Sequence, residues 1–201
     1  MERRDALKNL GLSIGGITMS STVVGLLQSC SGKSNLSWNP EIFDSQEAEL
    51  ITKTLEVILP KTEDIPGATE LNLTQFIDGY IKHVSGSEEQ KSIKKLAEKY
   101  LSTTKTTLGK KNVADISLDD IDSRLAYYLK ADKSQIDQWS NEDSDDASNY
   151  NFLNSLRSRG VSAFKMSEYI GEKVLAYSPI PGQQIGCVDL NEATGGKAWS
   201  I

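Results

Sequence analysis

Histidine occurs once in this chain of 201 residues, and cysteine twice. A lone His83 leaves too few ligands for a zinc centre. Cys30 and Cys187 make neither the C-x-x-C-H attachment of covalent haem, nor the cysteine set of an iron–sulfur cluster, nor a disulfide-dense scaffold. The G-x-G-x-x-G, P-loop and H-E-x-x-H patterns are all missing. So is any concentrated block of positive charge: 22 basic against 28 acidic side chains give a net charge of −6, and lysines come in short runs such as Lys94-Lys95 and Lys110-Lys111. Nucleic acid, whose binding needs clustered lysine and arginine, is therefore not an expected partner. Any redox centre that this chain works with has to be supplied by another protein.

What is present is helical periodicity. With 38% hydrophobic residues the chain can bury a core, and its length fits one domain. The stretch from Ile51 to Asp78 organises the rest. Leu55, Ile58 and Leu59 continue an apolar stripe begun at Leu50 and Ile51, and Pro60 ends that helix by excluding its predecessor from the α region. Pro66-Gly67 suits a type II turn, with glycine taking positive φ. Asn72, partnered by Gln75, is expected to cap a second helix whose apolar face is Phe76, Ile77, Tyr80, Ile81 and Val84. Two helices thus meet across an acidic corner.

Ahead of this stretch, Met1 to Ser29 reads as a processed leader. Arg3, Arg4, Leu7 and Lys8 match the twin-arginine export pattern, from which Glu2 and Ala6 depart; that route carries folded proteins. Leu10 to Leu27 is apolar but diluted by four glycines, too weak for a membrane span of about 20 apolar residues. Leu27-Gln28-Ser29-Cys30 looks like a lipobox, so lipidation of Cys30 is favoured over an ordinary cleaved signal, and the mature protein would be anchored to the membrane by lipid rather than span it. Residues 30–43 are expected to be a polar tether, placing residues 44–201 as a helical domain on the periplasmic side of a bacterial envelope.

Within that domain Asp44 with Glu47 predicts a capping box for a helix from about Ser45 to Leu59, and the second helix runs about Leu73 to Val84. Ser87 and Gln90 are expected to cap a third, which Gly109 stops. Ser117 with Asp120 opens a fourth along Ile121, Leu125, Tyr128 and Leu129. Asn141 to Ser148 is a solvated acidic break, lacking the glycine and distal glutamate of a calcium loop. A fifth helix spans about Tyr150 to Phe164, and a shorter one Ser167 to Leu175. From Tyr177 to Ile201 prolines and glycines predict an irregular arm of the kind that lies along a partner. The fold class is all-α: a single-domain bundle of five or six helices with that arm.

No candidate site has the makings of a catalyst. His83 lies at the polar end of a helix with no nucleophile to activate, and reads as a surface or capping histidine. Cys187 has no charged neighbour in sequence to lower its pKa, and is expected to be buried or paired with another chain. Glu63 and Asp64 are adjacent on a turn and point apart, which suits turn geometry or subunit contact better than acid–base work. Trp38, Trp139 and Trp199 serve equally as core residues or interface anchors.

The run ILPKTEDIPGATELNLTQFID, residues 58–78, resembles the small subunit, also called subunit 3 or gamma, of gluconate 2-dehydrogenase and related sugar dehydrogenases. The shared features are Leu-Pro, acidic-Pro-Gly and Phe-Ile-Asp. A second similar run is FLNSLRSRGVSAFKMSEYIGEKVLAYSPIPGQQIGC, from Phe152 to Cys187, with its Leu-Arg, Ser-Glu, Pro-x-Pro-Gly and closing Gly-Cys. The resemblance implies a non-catalytic accessory subunit that holds no cofactor itself. Its partner would be an FAD-dependent large subunit of the glucose-methanol-choline type, oxidising a sugar or sugar acid, often with a cytochrome c subunit. The small subunit would escort the signal-less large subunit through the twin-arginine translocase, stabilise it and anchor it. Pro66, Gly67, Phe76, Asp78 and Cys187, which carry the resemblance, are the expected intersubunit contacts. The alternative is a free-standing envelope lipoprotein that binds a small ligand or another envelope protein. A large apolar patch distinguishes the first reading, one concave pocket the second.

Overall fold

The computed structural model describes residues 36–141, 143–180, 182 and 186–200. The expectations at Arg3, Arg4, Leu7, Lys8 and Cys30 lie outside them. Six α-helices of eight or more residues form a bundle: α1 Ser45–Ile58, α2 Leu73–Val84, α3 Ser87–Leu108, α4 Leu118–Leu129, α5 Lys133–Ser140 and α6 Asp145–Met166. A 3-10 turn at Val113–Asp115, a π turn at Ile170–Val174 and a five-residue helix α7 at Leu190–Thr194 complete the described elements. There is no β-sheet among the described residues, so the all-α expectation holds.

Two helices lie at the centre. α1 packs against α2, α3, α4 and α6, and α6 packs against α1 to α5 and the π turn. The core they share contains Leu50, Ile51, Leu55, Ile77, Ile81, Tyr100, Ile121, Phe152, Leu153 and Leu156. Gly160 lets α6 approach α1, since a Cβ there would lie 2.6 Å from Leu55 Cδ2. Lys53 of α1 donates to the carbonyls of Val113 and Ile116, both at 2.8 Å, and so fixes the 3-10 turn.

The two expected capping boxes are present, at Asp44 with Glu47 and at Ser117 with Asp120. α1 stops at Ile58, just ahead of Pro60, and Gly109 ends α3 in the left-handed region. Two other caps differ. Asn72 sits in the left-handed region with no side-chain cap, because it closes the preceding turn. Gly86 holds the N-cap of α3, while Gln90 Nε2 donates to the carbonyls of Lys82 and Ser85 at the end of α2.

The acidic break is shorter than expected. Ser144 caps α6 and Asp145 and Asp146 occupy its first turn, where carboxylates suit the helix dipole. α5 was not expected at all; Asp132 caps it and its Trp139 is buried. The folded part also begins earlier, since Leu36, Trp38 and Ile42 pack against the core and Phe43 is buried within it. Finally, the C-terminal arm is tied back. Ala176 N–H donates to Ala198 O at 2.9 Å and Ser200 N–H to Ala176 O at 2.8 Å, which brings residues 198–200 alongside Ala176.

Candidate interaction surface

The Phe-Ile-Asp run at 76–78 gives each side chain a different task. A 3.6-residue period points three consecutive residues in three directions. Ile77 enters the core. Asp78 is 1% exposed, and its carboxylate accepts the backbone N–H groups of Glu41 at 2.7 Å, Ile42 at 3.1 Å and Phe43 at 3.0 Å. Phe76 faces outward and is 47% exposed.

Outward with it, one and two turns on, come Tyr80 and Val84, both exposed. The Phe76 and Tyr80 rings lie 6.2 Å apart, a tilted pair. α2 is therefore apolar on two sides, one in the core and one in solvent, which an ordinary surface helix is not. Beside it, Ser158, Ser162 and Ala163 of α6 are too small to fill the space, and Met166 forms the end wall. The result is a groove of about 220 Å³ between α2 and α6, with Arg159 at its rim held by Glu89 at 2.7 Å. Past Met166 the exposed apolar residues continue with Tyr169 and, in the C-terminal arm, Tyr177, Ile180, Val188, Leu190 and Trp199.

The corner before α2 fixes the groove's position. Glu56 Oε2 accepts from Thr69 N–H at 2.9 Å and Thr69 Oγ1 at 2.6 Å, and Lys61 pairs with Glu70 at 2.6 Å. Gly67 is not among the positive-φ glycines, so the type II turn is not formed. Its need for glycine is one of space: a Cβ would meet Glu56 Oε1 at 2.5 Å and the backbone nitrogen of Lys61 at 2.7 Å.

The expected contact residues therefore separate. Gly67 and Asp78 are buried within this chain, Pro66 is half-buried, and Phe76 and Cys187 are exposed. Cys187 is a free thiol on the surface, not buried, at a φ of 53°. Glu63 and Asp64 are exposed on the turn. His83 is exposed, with Nε2 3.6 Å from Glu41 Oε1. Trp139 belongs to an aromatic cluster with Tyr127, Tyr128 and Tyr150, Trp38 packs partly on the core, and Trp199 is exposed. Among the described residues no helix is long and apolar enough to cross a membrane.

The residues that sequence reasoning missed lie at the other end of α6. Arg124 of α4, 8% exposed, lies under a polar pocket of about 240 Å³ that also includes Thr103, Thr106, Tyr128 and Asn149. Tyr128 Oη donates to Asp146 Oδ1 at 2.8 Å and accepts from Asn149 Nδ2 at 3.1 Å. Burial, opposed by the Asn149 hydrogen bond and reinforced by Asp146, pushes the Tyr128 hydroxyl up to about 12. The signal was Arg124 itself, three residues after Ile121 on the face counted as apolar.

A helical bundle that turns aromatic and aliphatic side chains outward along one groove has the build of a subunit that docks on another protein. The family model for gluconate 2-dehydrogenase subunit 3 matches residues 45–182, well over half of the chain, and the chain belongs to that family. No curated protein and no solved structure matches it. Membership makes it an accessory subunit of a dehydrogenase complex and implies partner subunits.

Proposed function

We propose that this chain is the non-catalytic small subunit of an FAD-dependent sugar or sugar-acid dehydrogenase of the glucose-methanol-choline type. It escorts the folded large subunit through twin-arginine export, stabilises it and anchors it at the periplasmic face through lipid on Cys30. The observation that carries this reading is the α2–α6 groove, with Phe76 47% and Tyr80 44% exposed on a helix whose other face is core. Aromatic side chains beside an unfilled groove are the usual anchors of a protein interface. The partner supplies the flavin and the oxidation; a cytochrome c subunit takes the electrons. Arg3, Arg4, Leu7 and Lys8 supply the export signal for both chains.

The test is a pull-down of tagged chain from gently solubilised envelopes, with mass spectrometry and an FAD absorbance scan of the eluate. Recovery of a flavoprotein without its own signal peptide supports the escort. Recovery of this chain alone, or sugar oxidation by the purified chain with an artificial acceptor, overturns it.

A further inference from the structure

The groove between α2 and α6 holds apolar surface in water. Phe76, Tyr80 and Met166 form its walls at 47%, 44% and 55% exposure, and Ser158, Ser162 and Ala163 make a floor too small to fill it. Its rim charge is already met, since Arg159 pairs with Glu89 at 2.7 Å, so what the groove lacks is apolar cover. The floor runs along α6, with Ser158 and Ser162 one turn apart. An occupant that fits brings aliphatic side chains at helical spacing and a backbone able to come close.

Such a stretch lies ahead of the bundle in the same chain, outside the described residues. Leu10, Ile14, Ile17 and Val24 follow the i, i+4, i+7 and i+14 spacing of groove anchors. The residue after each is small, Gly11, Gly15, Thr18 and Gly25, so no bulky neighbour would hold the backbone off the floor. The chain also enters at the groove's own wall. Glu41, Ile42 and Phe43 are bound to Asp78 of α2, and Glu41 Oε1 lies 3.6 Å from Nε2 of His83, three residues from Tyr80. Between Leu27 and Leu36 the link QSCSGKSN is small and polar. It extends to about 30 Å, against about 18 Å for the whole of α2.

We propose that Leu10–Leu27 docks in the α2–α6 groove of its own chain, with Leu10, Ile14 and Ile17 against Phe76, Tyr80 and Met166. The tether gives this stretch an effective concentration on the order of millimolar, well ahead of a second copy of the chain in dilute solution. While attached, it shields the groove from other apolar surfaces; its removal opens the groove. The inference goes beyond the escort reading and stands or falls apart from it, because it concerns this chain alone.

Photo-crosslinking in the purified full chain tests it, with benzoylphenylalanine replacing Tyr80, dilute protein, and protease digestion with mass spectrometry after irradiation. The same probe replacing Tyr127, exposed at the far end of the bundle, is the comparison. Position 80 is expected to join peptides from residues 10–27 within the monomer at least tenfold more often than position 127 does. Ile14→Asp with Ile17→Asp is expected to reduce those crosslinks at least fivefold while circular dichroism and the melting temperature of the bundle stay unchanged. Cutting a protease site placed in the 28–35 link is expected to abolish them and to raise binding of an apolar dye. Crosslinks that miss residues 10–27 overturn the inference, as do equal yields from positions 80 and 127, which mean unspecific collapse. Crosslinks confined to a dimer band overturn it in favour of a second copy in the groove.

Discussion

The two ends of α6 offer opposite surfaces. Near Met166 the helix is lined with small residues and faces the outward aromatics of α2, whereas near Asn149 it faces hydroxyls, carboxylates and a guanidinium that meets the Tyr128 hydroxyl but whose Nε has no partner. Asn149 and Ser162 are separated by roughly 20 Å along the helix at 1.5 Å per residue. At the apolar end, unfilled space beside exposed rings fits a protein surface; at the polar end, a single buried nitrogen, Arg124 Nε, lacks a hydrogen-bond partner. The difference shows that the location of unmet physical demand, apolar area in water or a polar atom out of it, defines what each surface can take. Sites so far apart should respond to substitution independently.

Substitutions at the two ends can break that division. Asp78→Ala should have the largest effect, since it leaves three backbone N–H groups without their acceptor; thermal melting should show a loss of about 3 kcal/mol, and α2 with its groove should loosen while the pocket stays formed. Gly67→Ala should cost about 1 to 3 kcal/mol in urea unfolding, because the new Cβ has to displace the Lys61 backbone. Phe76→Asp with Tyr80→Asp should leave the melting temperature within a few degrees but reduce recovery of the partner at least tenfold; unchanged recovery would move the interface elsewhere. Tyr128→Phe should cost about 1 kcal/mol and leave partner recovery untouched, since only the polar end loses its bridge between Asp146 and Asn149.

The smallest effect should be seen in pH. Burial holds the Glu47 carboxyl above its ordinary value of 4.5, against the Lys94 hydrogen bond that lowers it. The folded state then keeps the proton longer than the unfolded one, so this group's contribution is full below 4.5 and is lost as pH rises through the folded value. Urea titrations from pH 4 to 7 should show that decline, and Glu47→Gln should flatten it without changing either surface.

Much of the fold was legible because it is local. The capping boxes at Asp44 and Ser117, the stop at Gly109 and the apolar spacing of α1 to α4 depend on residues within one or two turns of each other. α5 was not legible: KSQIDQWS has two apolar residues, and Trp139 earns its burial from tyrosines on α4 and α6. The start of α6 was hidden for the opposite reason, because Asp145 and Asp146 look like a polar break unless the helix they begin is already known. The return of the arm joins Ala176 to residues beyond 197, a pairing that no local pattern encodes. The groove was half legible, through Phe76 in its motif. The polar pocket was not, because an arginine on an apolar stripe looks like an interruption until its burial is seen.

Asp78 also determines how the domain bears load. Its three hydrogen bonds grip consecutive residues, 41–43, at the point where the chain enters the bundle. A tug on the preceding segment is met first by Leu36 and Trp38 on the core and then by these three hydrogen bonds, which pass it into the side of α2. The chain's entry into the bundle is thus coupled mechanically to the helix that carries Phe76 and Tyr80.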